Sequence, residues 1–272
     1  MKAIMNKKNL GIHFLVCYNM QNTGYANWRN ISCFFLLTAI WPISYACSRN
    51  VADNTTVITP TPTADTTIKK DSTKNYSFLA LGDSYTIGQS VSDQERFPAQ
   101  TVAGLSAHGY TNTSLHYIAT TGWTTANLIA AINAQQPLGT YNMVTLLIGV
   151  NDQYQGVDTG SYAVRFTQLL QTSIQLAGNK SNRVFVLSIP DYSVTPFARS
   201  SDTARIRLQL AQFNAINKRI TASYNVSYTD ITPSSRDALN DPSLIAPDGL
   251  HPSGKMYGSW VSLLLPSVLK QW

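Results

Sequence analysis

The sequence predicts an α/β domain of three layers, with a central, mainly parallel five-stranded sheet between two layers of helices. Two observations carry this. Between residues 76 and 272, short uninterrupted apolar runs alternate with longer segments whose apolar residues recur every three or four positions. Continuous apolar runs mark strands buried on both faces, and strands alternating with helices imply βαβ crossovers and a parallel sheet. The second observation is that the first run, Phe78-Leu79-Ala80-Leu81, leads straight into Gly82-Asp83-Ser84. A sharp turn after the strand places Ser84 at the carboxyl edge of the sheet, where open α/β sheets bind ligands.

The elements follow in order. The first strand covers 78–81. A helix over about 97–108 carries Phe97, Val102 and Leu105 on one side. The second strand covers about 115–119, and Leu128, Ile129 and Ile132 mark the next helix. The third strand, 143–148, is strongly apolar; a helix over 162–176 buries Phe166, Leu169, Leu170 and Ile174. The fourth strand, 184–189, is stopped by Pro190. A long helix over about 203–223 spaces Ile206, Leu210, Phe213, Ile216 and Ile220 by three or four. The fifth strand is short, 226–229, and a last helix covers about 254–269.

The remaining residues read differently. The chain has 272 residues, enough for one sizeable domain plus extras, and a net charge of +6. Residues 1–75 hold 8 Lys and Arg against 3 Asp and Glu, which leaves 12 against 11 in the body. The basicity therefore belongs to the N-terminal part, and no nucleic-acid partner is expected. Cys17, Cys33 and Cys47 all precede residue 50, so the body needs no disulfide and holds no thiolate metal site. No metal or cofactor is expected.

Residues 31–46 are apolar, with Arg29 before them and Ser44-Tyr45-Ala46-Cys47 at their end. The stretch is short for a membrane span, which needs about 20 apolar residues, and Pro42 interrupts it. A positive flank, an apolar core and small residues before a cut describe an export signal. Ending in Cys47, it resembles a bacterial lipoprotein signal. That implies lipidation of Cys47 and a protein anchored at the periplasmic or outer surface, its only membrane contact. A plain cleaved signal and an uncleaved anchor are the alternatives. Met20 would start a signal of ordinary length, which makes 1–19 superfluous. Residues 48–75 are rich in Thr and Pro and poor in aromatics, so they read as a disordered tether. The organisation expected is a leader over 1–47, a linker over 48–75 and one domain over 76–272, working as a monomer.

Three more blocks stand at expected element ends. Thr120-Thr121-Gly122-Trp123-Thr124 follows the second strand, Gly149-Val150-Asn151-Asp152 the third, and Pro247-Asp248-Gly249-Leu250-His251-Pro252 precedes the last helix. Each has an ordinary reading when taken alone: Gly122 as a turn residue, Asn151 as a helix cap, Asp248 as a turn residue, His251 as a surface histidine. With Gly82-Asp83-Ser84 they fall in the order Ser, Gly, Asn, His, and the body resembles the SGNH hydrolases, the GDSL-type esterases and lipases. The resemblance covers essentially all of 76–272 and implies a flavodoxin-like sheet. The Gly-x-Ser-x-Gly elbow of α/β-hydrolases is absent.

The chemistry is readable beside the resemblance. Ser84 needs a base to become a nucleophile, and His251 can serve near neutral pH. Asp248, three residues earlier on a Pro-Asp-Gly turn, can fold back onto the imidazole and fix its tautomer. Gly122 offers an unobstructed N–H, Asn151 a side-chain amide, and Ser84 its own N–H at a helix start; together they would make an oxyanion hole, matching the family's roles. A carboxylate would repel an oxyanion, so Asp152 is read as structural, and Asp191 beside Pro190 as turn chemistry. Tyr85, Trp123, Tyr154, Tyr192 and Phe197 follow strands at the same rim; they either wall a substrate pocket or pack under loops. His13, His108 and His116 have no such company. The expected activity is an exported serine esterase acting on lysophospholipid, short-acyl or acetylated-sugar esters through an acyl-enzyme. Acyl transfer at the same site and non-catalytic glycan binding by a surface lipoprotein are the alternatives.

Overall fold

The computed structural model describes residues 74–272. The leader expected over 1–47, with Cys47, and the expected linker apart from residues 74 and 75 lie outside the described residues. Five strands form one sheet: β1 (Asn75–Gly82), β2 (Thr111–Ala119), β3 (Met143–Leu147), β4 (Val184–Leu187) and β5 (Ser227–Thr229). Their order is β2-β1-β3-β4-β5, and every pair is parallel. Phe78 to Leu81 are fully buried, as are Val144, Leu146 and Val184 to Val186, which is why these strands read as uninterrupted apolar runs. The edge strand β2 starts four residues before its apolar part, at Thr111, because a strand covered on fewer sides tolerates Thr-Asn-Thr-Ser.

Helices α2 (Phe97–Ala107) and α8 (Gly254–Gln271) pack together on one face of the sheet, and the single turn α7 (Thr232–Ser235) lies between β5 and α8 in the chain. On the other face α5 (Thr159–Leu176) packs against both α3 (Thr125–Gln135) and α6 (Thr203–Ser223). Side-chain caps set where several of them start. Thr124 accepts from the Asn127 N–H, Asp158 from Ser161, Asp202 from Arg205 and Ser253 from Met256. Each satisfies one of the N–H groups that a helix start leaves without a partner. The cap explains why α5 begins at Thr159, ahead of its first buried residue, Tyr162. None of the described helices is long and apolar enough to cross a membrane.

The chain runs from β1 outward to β2, then back across to β3 on the other side of β1. This reversal opens a crevice at the carboxyl ends of β1 and β3, the general ligand position in such sheets. Gly82 pairs with Leu147 there. A Cβ on Gly82 would collide with the Thr86 side chain and the Leu147 carbonyl. Gly82→Ala is therefore expected to destabilise the fold by roughly 3 kcal/mol. The measurement is urea unfolding of the full chain; an unchanged midpoint would show that the close approach is unimportant.

Candidate active site

Ser84 opens α1 (Ser84–Ile87), a single turn directly after β1. Asp83 caps that turn: its Oδ1 accepts the Tyr85 N–H at 3.0 Å. The residue is fully buried, and among the described residues Oδ2 has no hydrogen-bond partner. Burial pushes its pKa up to about 8; the Tyr85 N–H opposes the shift and the charge of Asp152 adds to it. Burial thus favours the uncharged acid, so the residue before Ser84 brings little negative charge to the site.

His251 comes from the loop before α8. The Gly249 N–H bonds the Ala246 carbonyl at 3.0 Å, closing a turn with Pro247 and Asp248 at its centre, and the Ala246 N–H bonds the His251 carbonyl at 2.7 Å. Gly249 has φ +73°, which suits the last position of such a turn. The turn brings Asp248 Oδ2 to 2.6 Å from His251 Nδ1, while Oδ1 accepts the N–H groups of Leu250 and His251, both at 2.9 Å. Ser90 Oγ donates to Oδ2 as well, at 2.6 Å. Partial burial would raise the Asp248 pKa, but these donors, Ser90 foremost, outweigh it and hold the carboxyl well below the usual range. Facing a carboxylate, Nδ1 carries the ring proton and Nε2 is left as the acceptor.

The other two blocks close the site. Gly122 adopts φ +84°, a left-handed conformation that favours glycine, and a Cβ there would meet nothing within 4 Å. The side facing it is thus open. Asn151 lies in α4 (Val150–Tyr154), one short helix after β3. Its Nδ2 donates to the Trp123 carbonyl at 2.9 Å, which orients the amide and leaves a second N–H for a ligand. Ser84, Gly122, Asn151 and His251 all line one cavity of about 160 Å³, with the rings of Tyr85, Tyr154, Tyr192 and Phe197 as its apolar walls. Tyr154, Tyr192 and Phe197 form a cluster with ring centroids 6.1–6.4 Å apart. Tyr85 is buried and meets the His251 ring edge-on at 5.7 Å. Trp123, expected at the rim with these aromatics, is not among the lining residues. It is half-buried against the core, and its part at the site is the carbonyl that holds Asn151.

Asp152 faces elsewhere. It is fully buried at the start of α3, where it accepts the Thr125 N–H at 2.8 Å and the Thr125 hydroxyl at 2.6 Å. Asp191 caps a short turn through the Ser193 N–H and pairs with Arg236 at 2.8 Å. His116 bonds the Tyr141 hydroxyl and His108 the Gly104 carbonyl; neither lines the cavity. Ser90 was not singled out by sequence: an exposed serine in a polar turn gives no sign of a partner 158 residues away. Among the described residues no group of three or more His, Cys, Asp or Glu could hold a metal ion.

The profile of the GDSL-like lipase/acylhydrolase family matches residues 80–258, more than half of the chain. The chain belongs to this family. It is accordingly a carboxylic ester hydrolase, and its five-stranded parallel sheet with flanking helices is the SGNH hydrolase fold. Solved structures agree on the fold. A structure of TesA is 16% identical with a TM-score of 0.57, covering 72% of this chain and 99% of its own. The psychrotrophic esterase EstA from Pseudoalteromonas sp. is 18% identical with a TM-score of 0.51, over 71% of this chain and 97% of its own. A variant of Axe2, an acetyl xylan esterase from Geobacillus stearothermophilus, is 20% identical with a TM-score of 0.51, over 72% and 94%. The comparison with curated proteins gives no match.

In this GDSL hydrolase the acid Asp83 makes a testable demand on stability. Its folded pKa of about 8 lies above the ordinary 3.8. Between those values the unfolded chain has released the proton and the folded one has kept it, so stability falls as pH rises through that window and levels off above it. Asp83→Asn cannot ionise. The stability difference, variant minus wild type, should therefore grow from about pH 4 to pH 8, as measured by urea unfolding at a series of pH values. A difference that stays flat would mean that Asp83 is ionised in the folded protein.

Proposed function

We propose that this hydrolase cleaves short-acyl carboxylic esters through an acyl-enzyme on Ser84. The observation that carries the reading is the 2.6 Å bond from His251 to an ionised Asp248, at a cavity that Ser84, Gly122 and Asn151 also line. In the first step Ser84 Oγ bonds to the ester carbonyl carbon as His251 Nε2 takes the hydroxyl proton. The negative charge on the former carbonyl oxygen is met by the N–H groups of Ser84 and Gly122 and by the free N–H of Asn151. Because α1 is a single turn, local N–H donors rather than a long helix dipole make this contribution. The C–O bond then breaks, and the leaving alkoxide takes the proton from His251. Water repeats the sequence with the acyl group, returning Ser84 and releasing a carboxylic acid. Asp248 stays ionised throughout and stabilises the imidazolium.

The size of the cavity supports the short-acyl choice. At about 160 Å³ it falls below the roughly 300–1,000 Å³ of pockets that enclose drug-sized ligands, and its walls are mainly apolar. An acetyl or other short acyl group suits it. The neighbour described as an acetyl xylan esterase supports the same class.

Two experiments test this. Ser84→Ala should lower kcat on short-chain esters by roughly 10³-fold or more with the fold intact. An organophosphonate should label Ser84 alone, and hydrolysis should fall steeply along a series of esters of increasing acyl length. Labelling elsewhere with an active Ser84→Ala variant refutes the nucleophile; a rate that rises with chain length refutes the substrate class.

The second experiment separates Asn151 from its neighbour. Asn151→Ala should cost about 10²–10³ in kcat with little change in KM, since the missing bond serves only the transition state. Asp152→Asn should reduce stability, because Asp152 holds the start of α3, while kcat of the folded fraction is nearly kept. An inactive but folded Asp152→Asn beside a normal Asn151→Ala would reverse the assignment.

A further inference from the structure

The loop that leaves α1 reaches the far side of the site. Gly88, at φ +71°, ends α1, and its N–H and that of Gln89 both bond the Ser84 carbonyl at 3.0 Å. Gln89 Oε1 accepts the Thr121 hydroxyl at 2.7 Å, which ties the loop to the segment carrying Gly122. The next residue, Ser90, has φ +67°, a left-handed backbone that a serine adopts at a cost. In that conformation its hydroxyl lies 2.6 Å from Asp248 Oδ2, the oxygen that also receives His251 Nδ1–H.

We infer that Ser90 is a positioning residue for hydrolysis, holding Asp248 Oδ2 in line with His251 Nδ1. This rests on the reading of Ser84, Asp248 and His251 as a triad. The two backbone N–H groups of the loop fix Oδ1, and they leave the carboxylate free to pivot about that oxygen. Ser90 supplies the third point that stops the pivot. One short stretch, 84–90, then carries both the attacking serine and the support of the acid at the other end of the triad. The titratable neighbours of the pair are Tyr85 against the His251 ring and Tyr257 on α8, which senses Asp248, Asp83 and Arg96. Burial pushes both tyrosine hydroxyls well up, so neither ionises near neutral pH.

The test is Ser90→Gly in the full chain. Glycine accepts the left-handed backbone, so the variant removes the hydroxyl without straining the loop. The expected result is a Tm within a few degrees of wild type, the relieved backbone offsetting part of the lost bond, and a kcat about tenfold lower, the size of one bond to a charged group. The acid limb of the kcat/KM profile should also move down by about half a pH unit, as the pivoting carboxylate stabilises the imidazolium less. A kcat within about twofold of wild type, or a loss with the acid limb unmoved or moved up, overturns the inference. The low-field proton resonance of His251 Nδ1–H gives a readout that needs no turnover: Ser90→Gly should shift it upfield, as the pivoting carboxylate lengthens the bond from Nδ1–H to Oδ2. If the wild type hydrolyses no ester, the triad reading fails on its own. The resonance then decides Ser90 alone, and an unmoved signal overturns its role.

Discussion

The site depends on β1 and β3 ending side by side. Their register aligns Gly82 with Leu147, so the chain leaves both strands at the same level of the sheet. Gly82 permits this because it has no Cβ to meet the Leu147 carbonyl. From that common edge, α1 presents Ser84 and α4 presents Asn151, with β2 on the other side of β1 leading to Gly122. The reversal of strand order between β2 and β3 keeps the space above β1 clear. Only His251 must be brought in from elsewhere, and a compact loop closed by two backbone bonds brings it.

Three aspartates show how environment decides what one residue type does. Asp83 is buried with one backbone donor, and desolvation favours its protonated form. Asp152 is also raised by burial, against the opposing bonds from Thr125 and the charge of Arg165, and it spends its oxygens on the start of α3. Asp248 is the least buried of the three and collects four donors, so it is held ionised. In the proposed mechanism this places the permanent charge behind His251, where an imidazolium would need it, and keeps charge low beneath Ser84, where it would oppose an oxyanion.

Much of this was legible in the sequence because it is local or periodic. The long helix 203–223 matches α6 residue for residue, since its apolar spacing is uninterrupted and Asp202 caps it. Strands β3 and β4 were legible because both faces are buried; the polar half of β2 was not, because an edge strand need not be apolar. Within the site, Asp248 and His251 lie three residues apart on a turn whose residues announce it. Trp123 shows the limit of rim position as an argument. Its place after β2 was readable, but the direction of its ring depends on packing against the core.

The sequence by itself determined the class of fold, the elements that carry each block and the identity of Ser84, Gly122, Asn151, Asp248 and His251 as the residues to watch. Those are properties of short segments: apolar periodicity, turn composition, a hydroxyl or imidazole at an element end. Tertiary structure alone decided that Ser90 touches Asp248 across 158 residues, that the Trp123 carbonyl orients Asn151, and that the pKa values of Asp83 and Asp248 are driven in opposite directions. These depend on distance and desolvation between segments remote in the chain, and no local pattern of residues encodes either.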